Sequence, residues 1–326
     1  MYKIAIIGAG QIGSRHLQAL AQIKLSSSIE AVGRSPQSLR TAKRRFKQVH
    51  GKGNIKNVSF FNSISALSES IDVGVIATNS DVRRKVVEEL ILNKKVKYLI
   101  LEKVVFQSNK DFWEIITLLN KHKIKAWVNC PRRMFPFYKE IKESFKDDKK
   151  ISLHVQGGNW GMACNSIHFL DFLSFLSGDN DFNVAISSRI DSEISESKRK
   201  GFIELTGVLN GSSIAGNEFS FVSKKDSNAP GVMSILGKSL HYIVFEAEGK
   251  YLIARKSTGW KWKEVRFAIP EQSQLTHLAV EQIIEQGKSD LTPLEVSWKL
   301  HKPLLKNFKE KLEKITGMRY ERCPIT

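Results

Sequence analysis

Residues Tyr2–His16 read YKIAIIGAGQIGSRH, and this stretch decides the fold. Lys3 apart, Tyr2 to Ile7 is an apolar run closed by glycine. It is too short to span a bilayer and suits a strand buried in a parallel sheet. Gly8, Gly10 and Gly13 follow as G-x-G-x-x-G, and Ile12, Leu17, Leu20 and Ala21 then recur at helical spacing. Gly8 permits a tight turn, Gly10 lets backbone approach a pyrophosphate, and Gly13 lets helix and strand pack closely. The helix N-terminus adds unpaired N–H groups and a partial positive charge. Gly8, Gly10, Gln11, Ile12 and Gly13 are therefore the expected phosphate cradle of a dinucleotide site. The bland alternative is a glycine turn that binds nothing.

The chain has 326 residues, of which 41% are hydrophobic. That length suggests about two domains. No apolar run approaches the roughly 18 residues that span a bilayer, and the opening strand leaves no room for a signal peptide. The expectation is a cytoplasmic protein without membrane contact. Cys130, Cys164 and Cys323 are far apart and form no C-x-x-C pair, so neither a disulfide scaffold nor a zinc knuckle is supported. His277 and Glu281 stand four apart, but without H-E-x-x-H they read as a solvated helix face, and no metal is expected. The net charge of +18 is spread over short clusters such as Lys43-Arg44-Arg45 and Lys198-Arg199-Lys200. No nucleic-acid-binding signature accompanies them, so nucleic acid is not an expected partner. Solvated faces and attraction of a phosphorylated ligand account for the charge.

Strand and helix alternate through the first half. Strands are expected at Ile29–Val32, Val58–Phe61, Asp72–Ala77, Tyr98–Leu101 and Lys125–Val128. The helices between them start at Pro36, Ser63, Ser80 and Ser108, the Ser63–Ser68 one being short. This alternation predicts α/β architecture, a Rossmann doubly wound parallel sheet over residues 1–128. Ligands then bind at the carboxyl ends of the strands, where Gly8–Gly13, Gly33–Ser35, Thr78–Ser80 and Glu102-Lys103 gather. After Asn129 the pattern changes. A helix at Ser166–Leu176 is followed by clustered strands: Asn183–Arg189, Phe202–Leu209, Ser213–Val222 and others to Phe267. Leu209-Asn210-Gly211-Ser212 reads as a hairpin turn. Residues 129–326 are expected to form an α+β domain on an open, mainly antiparallel sheet.

The ordered set of motifs resembles the Gfo/Idh/MocA family, the glucose–fructose oxidoreductase and inositol dehydrogenase-like enzymes. The pieces are G-A-G-Q-I-G-S-R-H at Gly8–His16, I-A-T-N-S at Ile76–Ser80, E-K at Glu102-Lys103, and H-F-L-D-F-L at His168–Leu173. Arg133-Met134-Phe135-Pro136 is similar to the family's R-x-x-P. The resemblance implies a nicotinamide cofactor, oxidation or reduction at a sugar-like carbon, and usually an oligomer. It implies His168 as acid/base, since an imidazole titrates near neutrality. It implies Lys103 as the cation that polarises the reacting oxygen. Glu102 anchors that lysine or the cofactor ribose, and Thr78 and Asn79 flank the cofactor. Asp171, one turn after His168, orients the imidazole or binds a substrate hydroxyl. Val104 stands where the family commonly has proline, and Arg83 where histidine is common. The family often places aspartate four residues before the histidine; here that position is Cys164, followed by Asn165. A thiol is a poor substitute for a carboxylate, which leaves catalysis or substrate changed.

Beyond the second strand, NAD-preferring sites place a carboxylate for the ribose 2′-hydroxyl. Here Gly33-Arg34-Ser35 stands instead. Glycine leaves room, Arg34 can bind a 2′-phosphate and Ser35 can donate to it. NADP is expected over NAD, although Arg34 stacked on adenine would serve either. Arg133, Asn159, Trp160, Cys164, Asn165 and Trp260 are candidates for lining a small-molecule, sugar-like substrate, and the net charge points to an anionic one. An open sheet face needs covering, which suggests a homo-dimer or homo-tetramer. The rival to an oxidoreductase is a non-enzymatic, dinucleotide-dependent regulatory or binding protein on the same fold.

Overall fold

The computed structural model describes residues 1–49, 53–148, 150–185 and 188–326. The first half forms β1 (Tyr2–Ile7), α1 (Gln11–Leu20), β2 (Ser27–Val32), α2 (Pro36–Lys47), β3 (Ile55–Phe61), β4 (Ser70–Ile76), α3 (Ser80–Asn93), β5 (Lys95–Leu101), α4 (Asn109–Lys121) and β6 (Lys125–Val128). Then come α5 (Pro136–Ser144), β7 (Ser152–Gly158), α6 (Met162–Ser177), β8 (Phe182–Val184), β9 (Arg189–Ile190), β10 (Ser195–Glu196) and β11 (Ile203–Glu204). The rest is β12 (Gly207–Ser213), β13 (Glu218–Lys224), β14 (Val232–Leu236), β15 (Leu240–Phe245), β16 (Lys250–Arg255), β17 (Lys263–Arg266), α7 (Thr276–Gln286), β18 (Thr292–Pro293) and α8 (Leu294–Thr316).

These elements form two compact units. The first joins Met1–Phe106 and Lys110–Met134 to Pro270–Glu295, and the second holds Gln107–Asn109, Phe135–Ile269 and Val296–Thr326. The chain thus leaves the first unit after Met134 and contributes α7 and β18 to it again later, where the sequence suggested one crossing after Val128.

The first unit carries a seven-stranded sheet in the order β18-β6-β5-β4-β1-β2-β3. Every pairing is parallel except the edge strand β18 against β6. Ile4, Ala5, Ile6 and Ile7 are all buried, as a strand covered on both faces requires. The strand order reverses between β1 and β4, a topological switch point. There the carboxyl ends are in register: Ile7 pairs with Val32 on one side and Ile76 on the other, and Ile76 with Leu101. The glycine turn, Gly33–Ser35, Thr78–Asn79 and Glu102-Lys103 all extend from this one edge.

The expected helix Ser63–Ser68 is a turn instead. Only Leu67 N–H reaches back, to Ile64 O (3.1 Å). Lys94 Nζ takes the carbonyl oxygens of Ser65 (3.0 Å) and Leu67 (2.7 Å), and the hydroxyls of Ser63 and Ser65 bond each other (2.8 Å). These local bonds compete with a helical ladder.

In the second unit the large sheet runs β17-β16-β15-β14-β7-β13-β12-β8, with β9 also paired to β12. It is antiparallel except where β7 meets β13. The predicted hairpin at Leu209–Ser212 is not a turn; those residues lie within β12. Gly211 pairs with Phe219, and a Cβ on it would stand 2.3 Å from the ring's Cζ, so glycine serves ring packing there. The expected strand Phe202–Leu209 divides into β11 and β12 around Leu205 and Thr206, with Gly207 at φ +110°. The strand expected at Asn183–Arg189 includes residues 186 and 187, which lie outside the described residues; β8 and β9 occupy its two ends. α6 begins at Met162 rather than Ser166, because Met162, Ala163 and Cys164 extend its buried side. No helix among the described residues is long and apolar enough to cross a membrane.

Candidate dinucleotide site and catalytic groups

The turn after β1 is built without room for side chains. Gly8 has φ +100°, and a Cβ on it would meet backbone of Ala77 and Thr78 at 2.9 Å. A Cβ on Gly13 would stand 2.0 Å from Gly8 O. Gly10 differs: nothing lies within 4 Å of its Cβ position, so its missing side chain leaves open space. Gly10 caps α1 with extended backbone (φ −78°, ψ −153°), and the first turn carries no acidic residue. The N–H groups of Gln11, Ile12 and Gly13 therefore face that space without a competing carboxylate. Thr78 Oγ1, beside this turn, is buried with no hydrogen-bond partner. A cradle that side chains would fill and an orphaned hydroxyl fit a dinucleotide pyrophosphate.

At the end of β2, Gly33 N–H donates to Phe61 O (3.0 Å), and a Cβ on Gly33 would sit 2.8 Å from Ser38 Oγ. Arg34 is exposed. Ser35 Oγ caps α2 by accepting from Ser38 N–H (3.1 Å), which leaves its own proton free to donate. Lys43, expected to thicken the field here, lies over the Phe60 ring (4.9 Å). Arg45 is the basic residue brought to the cradle: it donates to Gln11 O (2.8 Å), Gln11 Oε1 (2.6 Å) and Ser14 Oγ (2.6 Å). Burial, then Arg15 and Arg44, lower its pKa. The sequence showed Arg45 only as part of a basic cluster; its helix partner was not readable.

Asn79 caps α3 without a side-chain bond, so its exposed amide is uncommitted. Arg83, four residues on, is 1% exposed and donates to the carbonyls of Thr78, Val104 and Val105 (2.8 Å to the last). A buried cation thus ties the two loops that flank the switch point. Replacing Arg83 by methionine leaves these carbonyls without the fork and costs about 2–3 kcal/mol, read as a lower denaturation midpoint. An unchanged midpoint would show that the clamp contributes nothing.

Lys103 is half-buried just past β5, in the position expected for it. Glu102 is 7% exposed and belongs to a closed ring of side chains. Its Oε1 accepts from His16 Nε2 (2.9 Å) and Asn129 Nδ2 (2.6 Å). Asn129 Nδ2 also donates to Gln272 Oε1 (2.8 Å), and Gln272 Nε2 to Thr276 Oγ1 (3.0 Å). Thr276 Oγ1 meets His16 Nδ1 at 2.8 Å. Burial pushes the Glu102 carboxyl up, but bonds and charge from His16, the Asn129 bond and the Arg83 charge bring it below the usual range. Of these residues only Glu102 was singled out in the sequence. Nothing in the spacing could show that Gln272 and Thr276 return to α1.

In the second unit, His168 is half-buried on α6 and Asp171 is 1% exposed on the next turn. Asp171 is thus placed to orient a neighbour more readily than to meet a solvated hydroxyl. Cys164 is 5% exposed, with Sγ 3.9 Å from Ile203 O. Burial, together with Cys164, pushes the Cys323 thiol up to about 12, so it stays a thiol. Asn165 Nδ2 donates to Trp160 O (2.9 Å), and Trp160 Nε1 to Val222 O (2.8 Å). Glu204, which the sequence did not single out, brings a carboxylate to the first turn of α6. Its Oε2 accepts from Ala163 N–H (3.0 Å), and Oε1 would lie 3.1 Å from a Cβ on Gly161. Asn159 and Trp260 are exposed, both at positive φ (42° and 61°). Arg133 belongs to the first unit, in a 3-10 turn at Pro131–Met134. Among the described residues no group of three or more His, Cys, Asp or Glu could hold a metal.

A depression of about 670 Å³ opens around Glu69–Asp72 and Lys94–Lys97. It lies at the amino ends of β4 and β5, the wrong end of the sheet for a ligand of this fold.

The parallel sheet and glycine turn define an NAD-binding Rossmann domain. Residues 2–130 match the profile of GFO_IDH_MocA, the oxidoreductase family with an NAD-binding Rossmann fold. The match is to the N-terminal Rossmann stretch alone and shows what that stretch is similar to. Solved structures extend the likeness in fold to nearly the whole chain. UDP-N-acetylglucosamine 3-dehydrogenase GnnA from Acidithiobacillus ferrooxidans is 13% identical, with a TM-score of 0.69 over 94% of this chain and 96% of that one. KijD10, a 3-ketoreductase from Actinomadura kijaniata in complex with NADP, is 10% identical, with a TM-score of 0.68 over 93% and 95%. A super-repressor mutant of Gal80p from Saccharomyces cerevisiae is 15% identical, with a TM-score of 0.71 over 96% of each chain. Comparison with curated protein sequences finds no match.

Proposed function

We propose that the chain is an NADP-preferring oxidoreductase that transfers hydride at a hydroxyl or keto carbon of a sugar, sugar derivative or nucleotide sugar. The observation that carries the cofactor choice is the end of β2. Gly33 is packed against Ser38 and Leu39, Arg34 is exposed beyond it, and the segment Gly33-Arg34-Ser35 itself carries no carboxylate to repel a 2′-phosphate. Arg34 supplies a fork of donors and Ser35 a hydroxyl proton. The cradle at Gly8–Gly13, with Thr78 and Asn79 beside it, holds the pyrophosphate. The nicotinamide, when bound, gives or accepts the hydride. Lys103 holds positive charge at the reacting oxygen, and His168 takes or returns its proton. Structures similar in fold are named for a nucleotide-sugar dehydrogenase and an NADP-bound ketoreductase, which supports the substrate class.

Fluorescence titration with NADPH and NADH tests the cofactor. NADPH is expected to bind at least about tenfold more tightly, the worth of one charge-assisted contact, and Arg34→Ala to erase the difference. Tighter NADH binding sinks the preference. A second reading, a dinucleotide-dependent regulatory protein, is favoured by Cys164 in place of a carboxylate and by the likeness to Gal80p. It gains if NADPH binds while panels of sugars, sugar acids and nucleotide sugars give no turnover.

A further inference from the structure

The ring around Glu102 treats the two carboxylate oxygens differently. Oε1 carries both protein donors, while Oε2 has none among the described residues. Oε2 is not among the fully buried oxygens that lack a partner, so it opens to solvent and a donor from a ligand can reach it. The ring's contacts also have a consistent direction. Asn129 spends both amide protons, on Glu102 and Gln272. Gln272 then presents Nε2 to Thr276, so the threonine hydroxyl can give its proton to His16 Nδ1. That leaves the Nε2 proton of His16 for Glu102. If His16 gains a proton, Thr276 Oγ1 accepts it and the ring stays closed. His16 is 0% exposed on the face of α1 that begins with Gly13, and Glu102 immediately precedes Lys103.

We propose that His16 is a positioning residue: through the ring it holds the Glu102 carboxylate with Oε1 turned inward and Oε2 presented to a hydroxyl donor of a dinucleotide bound on α1. This rests on the dinucleotide reading above. The titratable and charged groups that face Glu102 are the His16 imidazole from α1 and the Arg83 guanidinium from α3; Asn129 faces it as a neutral donor. Removing His16 leaves burial opposed only by the Asn129 bond and, after it, the Arg83 charge, and the carboxyl must rise. A protonated Glu102 would donate where it should accept, and ligand affinity would then depend on pH.

The test compares wild type, His16→Leu and His16→Gln from pH 5.5 to 8.5. Leucine keeps the bulk without a donor; glutamine keeps a donor near Nε2. The first readout, free of cofactor, is the carboxyl ¹³C shift of Glu102, assigned by its loss in Glu102→Gln. The second is the Kd for NADPH. Wild type and His16→Gln should keep Glu102 ionised throughout, with Kd values within about threefold of each other. In His16→Leu the carboxyl should titrate within this range, and Kd should weaken about tenfold or more between pH 8 and pH 6. Unchanged Glu102 titration in His16→Leu overturns the proposal, as does a loss of affinity equal at every pH, since packing alone would produce it. If wild type binds neither NADPH nor NADH, the dinucleotide reading fails, while the ¹³C shift still decides whether His16 holds the carboxylate. Should His16→Leu not fold, His16→Met, which also keeps bulk without a donor, is read the same way.

Discussion

Gly10→Ala and Gly13→Ala are each expected to weaken NADPH binding strongly, for different reasons, and thermal denaturation separates them. At Gly13 the added methyl would overlap backbone, 2.0 Å from Gly8 O and 2.9 Å from Gly8 C. No flexible side chain can yield there, so α1 must move away from the turn. Overpacking against backbone costs about 3 kcal/mol or more, and the unfolding midpoint should fall by several degrees. At Gly10 the methyl meets nothing, and the backbone conformation suits any residue. That variant should keep its midpoint while affinity falls about 100-fold, because the methyl occupies space the pyrophosphate needs. If Gly10→Ala binds NADPH as wild type does, the open space at Gly10 is not a phosphate site.

The first unit was the more legible because its signals are local and periodic. A buried strand, a glycine turn and a helix within one stretch place the cradle, and β-α alternation then fixes which strand ends share an edge. The short helix at Ser63–Ser68 failed because a distant carboxylate, Glu30, takes the Ser68 N–H that a helix would give to Ile64. The hairpin at Leu209–Ser212 failed because Asn-Gly has two uses: Gly211 makes room for the Phe219 ring within a strand. At the candidate site, the sequence placed Glu102 and Lys103 just past a buried strand, and they follow β5 there. The partners that define Glu102 were not, since Gln272 and Thr276 lie more than 140 residues beyond it and carry no pattern of their own. Glu204 was hidden for a similar reason. The sequence showed a thiol at Cys164 and no nearby acid, whereas the chain brings a carboxylate to the same helix turn from β11.

Lys103→Met and His168→Gln are each expected to lower kcat by about 10²–10⁴-fold on the substrate that the turnover panel identifies, the usual worth of a positioned acid/base or charge-stabilising group. Methionine keeps the stem of Lys103 without its charge, and glutamine keeps a polar head without the titration of imidazole. NADPH affinity should change by less than about threefold in both, because neither side chain belongs to the phosphate cradle. The pH profile divides the roles. In His168→Gln the limb of the kcat profile governed by the acid/base should disappear, whereas Lys103→Met should lower the whole profile and keep its shape. The double variant carries the sharper test. Two groups that serve one proton transfer act as a unit, so the double loss should fall well short of the product of the single losses. Fully multiplicative losses would mean that Lys103 and His168 serve separate steps. Losses of only a few-fold in either single variant would remove that residue from the chemistry.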